Sequence, residues 1–202
     1  MMLDKNARTA VFIDGSSLYY TAKALGFEVD YRRLLRYFKT NTRLLRACYY
    51  AAIPETEEYS PLKPLTDWLA YNGFMLVTKN AREFTDQSGR RRLKGNMDVE
   101  LAVDLMELSD RIDHAIIFSG DADLRRAVEA IQRRGVRVVA ISSLRSSPPL
   151  IGDDLRRQVD LFVELGDIAS EFTRRQGDPV SRPRSNPIRH PADIMADDDL
   201  DD

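Results

Sequence analysis

Apolar and polar positions alternate along the chain in short blocks. Six runs, TAVFID (9–14), LLRACYYAAI (44–53), FMLVTK (74–79), HAIIFSG (114–120), VRVVAIS (136–142) and DLFVEL (160–165), combine apolar, β-branched and aromatic residues between polar turns. That pattern predicts buried strands. Between them lie stretches with helical spacing. SSLYYTAKALG and SPLKPLTDWLAYNG close on glycine, DYRRLLRYF opens on an N-capping aspartate, and NMDVELAVDLMELS and DADLRRAVEAIQRRG follow the same grammar. Strands alternating with helices of this length predict βαβ units, and so an α/β fold with a mostly parallel central sheet covered on both faces.

In such a sheet the carboxyl ends of the strands share one edge, and ligands sit in the crevice beyond it. Asp14 closes the first run, while Asp121 and Asp123 follow the fourth. If those two strands are neighbours, the three carboxylates converge. Unpaired like charges a few ångströms apart repel by several kcal/mol at an intermediate dielectric, so such a cluster requires a cation, extra protons or distance between its members. A structural account also exists for Ser119 and Asp121, because small polar residues cap helices and an acid suits the positive end of a helix dipole. Met97, Leu101, Leu105 and Leu108 form the core stripe of a further helix beginning near Asn96. Asp98 lies in its first turn. Asp104 stands three residues after Leu101 and should point inward, where an ionised acid needs partners; backbone N–H groups and the surroundings of a metal both remain open as explanations.

Composition narrows the chemistry. With 202 residues, 43% of them hydrophobic, the chain suits one domain. No apolar run reaches the length of a membrane span and none near the start reads as a signal peptide, so the expected location is cytoplasmic. A lone Cys48 excludes an internal disulfide, and with only His114 and His190 beside it a Cys/His zinc site is excluded too. No glycine-rich phosphate loop is present for nucleotide binding. Phosphotransferases of the haloacid dehalogenase type place a second aspartate two residues after the first, where this chain has Ser16. Neither histidine lies where a Ser/His nucleophile pair would need it. The net charge of −2 hides a division: residues 176–202 carry seven acids and three arginines, leaving 25 acids against 27 basic residues in 1–175. The Pro-, Arg- and Asp-rich segment 176–202 has no periodic apolar face and reads as a disordered acidic tail following a domain of residues 1–175.

Four stretches in order, VFIDGSSLYY, LKGNMDVELAVDLM, IIFSGDADLRRAV and LRRQVDLFVEL, resemble the NYN domain in its bacterial LabA-like (DUF88) branch, over roughly residues 8 to 172. The resemblance implies a three-layer α-β-α PIN-like nuclease fold and a Mg²⁺- or Mn²⁺-dependent ribonuclease centre with Asp14, Asp98, Asp121 and Asp123 as its acidic cluster. Asp14 and Asp121, at strand ends, are assigned as direct ligands, and Asp98 and Asp123 as ligands directly or through water. Ser17, Ser119 and Asp104 would stand behind them. The family often carries Asn three residues after the first aspartate; Ser17 has a shorter reach but can still hold a water or a phosphate oxygen. RNA is the implied partner. The basic stretch KNAREFTDQSGRRRLKG (79–95) reads as a hairpin or loop, and Arg82, Arg90, Arg91, Arg92 and Lys94 are its candidate phosphate contacts, with a solvated basic surface as the plainer account. A weakly active or inactive regulator of the same fold, binding RNA or a protein partner, is the alternative, and a homodimer is compatible with either.

Overall fold

Each predicted apolar run becomes a strand. In a computed structural model, which describes residues 4–54, 62–85 and 91–174, seven strands form one sheet in the order β4-β3-β2-β1-β5-β6-β7. They are β1 (Arg8–Asp14), β2 (Arg43–Pro54), β3 (Met75–Thr85), β4 (Arg91–Lys94), β5 (His114–Phe118), β6 (Arg137–Ser142) and β7 (Leu161–Glu164). Six of them run parallel, and β4 pairs antiparallel with β3 from Arg82↔Lys94 to Thr85↔Arg91. The basic stretch is therefore a hairpin at the sheet edge. Residues 86–90, with Arg90, lie outside the described residues, as do the side chains of Arg82, Arg91, Arg92 and Lys94.

The helices are α1 (Gly15–Ala24), α2 (Tyr31–Asn41), α3 (Lys63–Tyr71), α4 (Asp98–Leu108), α5 (Arg125–Gln132), α6 (Asp153–Gln158) and α7 (Leu165–Phe172). Because side chains alternate along a strand, β1 sends Val11 and Ile13 to one face and Ala10 and Phe12 to the other. The first face packs against Leu18 of α1, Leu34 and Phe38 of α2, Leu69 of α3 and Ile168 and Phe172 of α7. The second packs against Leu101 and Leu105 of α4, Val128 and Ile131 of α5 and Leu155 of α6. The result is the expected three-layer α-β-α arrangement. Two helices were not expected from the pattern. The six-residue α6 contributes a single buried leucine, too little for a visible period, and α7 starts on the residue after β7, so its Leu165, Ile168 and Phe172 repeat merges with the apolar end of the strand. The proposed tail, 176–202, and its boundary lie outside the described residues. Among those described, no helix is long and apolar enough to cross a membrane.

Topology places the site. From β1 the chain steps to β2 and β3 on one side, then returns through α4 to β5, which pairs with β1 on its other side from Thr9↔His114 to Ile13↔Phe118. The sheet thus reverses direction of growth between β1 and β5, the switch point at which a crevice opens at the carboxyl edge. The opposite edge of this pair is pinned by Arg8, which donates to both oxygens of Asp113 and holds its carboxyl down at about 2.

Past the end of β5, Gly120 accepts from the backbone of Gly152 at 2.8 Å, and a Cβ on Gly120 would lie 1.7 Å from the Leu150 carbonyl oxygen. The turn carrying Asp121 is therefore seated on the chain ahead of α6 by a contact that only glycine permits. Gly120→Ala must move backbone rather than a side-chain tip, and overpacking of this kind costs about 1–3 kcal/mol or more. A urea or thermal melt checks it; an unchanged midpoint would mean that the turn is loosely seated.

Candidate metal centre

Asp14 ends β1 and caps α1 with extended backbone angles. Its Oδ1 accepts from the backbone N–H of Ser16 at 3.0 Å and of Ser17 at 3.4 Å, and from the Ser16 hydroxyl at 2.7 Å, while Oδ2 accepts from the Ser17 hydroxyl at 2.6 Å. The capping chemistry read from the sequence at Asp121 is present as well. Asp121 caps a single 3₁₀ turn, Ala122–Leu124, leading into α5, its Oδ1 accepting from the Asp123 N–H at 2.9 Å, and its own N–H donates to the Ser119 hydroxyl at 3.1 Å. The Ser17 and Ser119 hydroxyls stand 3.5 Å apart. The two serines thereby join the carboxyl ends of β1 and β5 into one polar layer beneath the carboxylates.

Asp98 opens α4 and is buried, yet its Oδ2 has no hydrogen-bond partner among the described residues. Asp98, Asp121 and Asp123 bring one carboxylate oxygen each to within 4.8 Å of one another, Asp98 buried, Asp121 half-buried and Asp123 exposed. Burial, followed by the negative charges of Asp121, Asp14 and Asp123, pushes the Asp98 carboxyl up from 3.8 to about 6. This happens at a helix N-terminus, where the dipole favours the anion, so desolvation and like charge outweigh the dipole here. An orphaned buried oxygen in an all-oxygen, net-negative group of carboxylates is the donor set a hard divalent cation takes. The residues present fit such an ion.

Other candidates fall as follows. Asp14 stands beside the trio and its charge reaches Asp98, but both its oxygens already accept hydrogen bonds within α1's first turn. Asp104 is half-buried and receives the Tyr50 hydroxyl at 2.8 Å, a partner that neither sequence account foresaw. Tyr50 itself is fully buried and is the register partner of Asp14 across β1 and β2. Sequence reasoning also missed Gly95, which precedes α4: a Cβ there would meet those of Ala52 and Ala81 at 3.0 Å. The glycine in LKGN was the available signal.

Comparison with known proteins places the chain among relatives. The model of the NYN domain matches residues 8–166. The low amplitude and bright protein LabA of Synechococcus elongatus is 30% identical over 188 residues, which span 90% of this chain and 97% of that protein. A crystal structure of a protein of unknown function from Vibrio parahaemolyticus superposes with a TM-score of 0.67 at 24% identity, covering 86% of this chain and 100% of the other. At that identity the likeness is one of fold.

The raised Asp98 carboxyl has a signed consequence. The folded chain binds this proton more tightly than the unfolded chain does, so in the absence of metal, stability falls as pH rises from about 4 through about 6 and the deficit persists above. The shift corresponds to roughly 3 kcal/mol at most. Asp98→Asn is expected to raise the melting temperature of the protein in EDTA at pH 7 and to flatten that pH dependence. Calorimetry at pH 5 and pH 7 checks it, and a variant that melts lower than wild type at pH 7 would contradict the assignment.

Proposed function

Since the chain belongs to the NYN domain family, we propose that it is a ribonuclease dependent on Mg²⁺ or Mn²⁺, acting at the crevice between β1 and β5. NYN domains are nuclease-type domains that generally act on nucleic acids, and the acidic trio sits at this fold's ligand-binding edge. The observation carrying the proposal is the buried Oδ2 of Asp98, without a hydrogen-bond partner among the described residues and set among carboxylates that repel it.

Asp98, Asp121 and Asp123 would hold the cation, with Asp14 supplying further negative charge beside them. When bound, such an ion lowers the pKa of a bound water, polarises the phosphoryl group and stabilises the leaving oxygen. The chain's own groups do the remainder. Ser17 and Ser119 hold Asp14 and the Asp121 backbone in place, so the carboxylates are aimed before substrate arrives. Asp123 is the solvent-facing member and is available to take a proton from an attacking water. Arg82, Arg90, Arg91, Arg92 and Lys94, on and around the β3–β4 hairpin, would hold RNA phosphates. The alternative is a regulator of the same fold that binds RNA or a protein partner without cutting.

Cleavage of labelled RNA by purified protein is expected with Mn²⁺ or Mg²⁺ and not with EDTA. Asp121→Asn should lower it by about 10²-fold or more, the scale seen when one group stabilising a transition state is lost, with the circular dichroism spectrum unchanged. Salt-sensitive binding without products would favour the regulator.

Arg91→Gln combined with Arg92→Gln should weaken RNA binding for all sequences alike and make the slope of log K against log salt shallower by up to about 0.7 per lost contact to a single strand. An unchanged slope would return these arginines to the solvated surface.

A further inference from the structure

α4 carries Asp98 into the crevice, so its rotation about its own axis decides where that carboxylate points. Apolar packing specifies this rotation poorly, because α4 is apolar on more than its core side. Leu101 and Leu105 are fully buried, but Val99 and Val103 are 67% and 49% exposed. Val99 and Val103 widen the apolar arc of the helix beyond its buried stripe, and because the hydrophobic effect is non-directional, apolar burial alone leaves its exact rotation loosely set.

Polar contacts supply what the apolar ones do not. Glu100 and Asp104 lie one turn apart on a single face of α4. Lys79 of β3 donates to both Glu100 oxygens at 3.0 Å, and Tyr50 of β2 donates to Asp104 Oδ2 at 2.8 Å. Tyr50 pairs with Val77 and Ala52 with Lys79, so the two anchors stand two rungs apart on adjacent strands, in step with the helix running back over them. Glu100 is two residues past Asp98, about 200° around the axis at 3.6 residues per turn. With Glu100 and Asp104 tied to β2 and β3, Asp98 is turned away from them, toward Asp121 and Asp123. The seat of Gly95 on Ala52 and Ala81 fixes the point at which the helix enters.

We infer that Tyr50 and Lys79 are positioning residues for the metal centre: through Asp104 and Glu100 they set the rotation of α4 and thereby aim Asp98. This rests on the metal-binding reading given above. The buried Tyr50–Asp104 bond and the half-buried Lys79–Glu100 pair act on affinity for the ion by orienting a ligand, as groups behind a metal ligand do.

The test is isothermal titration of Mn²⁺ into the full-length wild type and into Tyr50→Phe, Lys79→Met, the double variant and the conservative Lys79→Arg, with melting temperatures recorded in EDTA. Each single loss should raise the Mn²⁺ dissociation constant roughly tenfold, the double variant should raise it further, and Lys79→Arg should restore it. If Tyr50→Phe fails to fold, the Lys79 variants, which alter a half-exposed pair, still decide. Dissociation constants equal to wild type, alongside lowered melting temperatures, would overturn the inference and leave the contacts as structural bonds only. A wild type that binds no Mn²⁺ would overturn the metal reading itself, and this inference with it.

Discussion

Repulsion among carboxylates crowded at one edge of the sheet is the constraint around which this structure is arranged. Asp98, Asp121 and Asp123 bring carboxylate oxygens to within 4.8 Å of one another, close enough for ionised groups to repel. A chain free to relax would turn such groups out to water. For Asp98 and Asp121 it cannot, because each belongs to the start of a helical segment whose backbone is held by neighbours. Asp121 is fixed by its cap and by the Gly120 seat, and Asp98 by α4. Burial, with this repulsion added to it, therefore raises the Asp98 carboxyl.

The supports of this arrangement are close contacts as well as hydrogen bonds. Gly120 against the Leu150 carbonyl and Gly95 between Ala52 and Ala81 let backbone approach where any side chain would intrude. The serines add a second kind of support. With Ser17 donating to Asp14 and Ser119 accepting from the Asp121 N–H, two strand ends far apart in sequence share one polar layer. Ser17 keeps its hydroxyl 2.6 Å from the Asp14 carboxylate.

The same side chains cap elements of the fold and line the candidate site, which accounts for how much of that site was legible in advance. Asp14 and Asp121 were visible because strand ends and caps demand small polar residues in recognisable places, and Asp98 because it opens a helix whose Met97, Leu101 and Leu105 stripe is regular. Tyr50 gave no such signal: inside LLRACYYAAI it looks like another apolar strand residue, and only its hydroxyl meeting Asp104 across two elements distinguishes it. Lys79 likewise read as one cation in a basic stretch, whereas it is tied to Glu100 on α4.

What the sequence determined by itself was local: the six principal strands, five of the helices, the Asp30 and Asp121 caps, and an α/β class, since periodicity and capping depend on residues within a turn or two of each other. The pairing of β1 with β5, which turns four separated acids into a neighbourhood, was decided by tertiary structure, because strand order depends on which crossovers pack and not on the strands' own composition. So was the exact rotation of α4: its stripe gave the buried face, but Val99 and Val103 widen the apolar arc, and partners on other strands narrow it to one orientation.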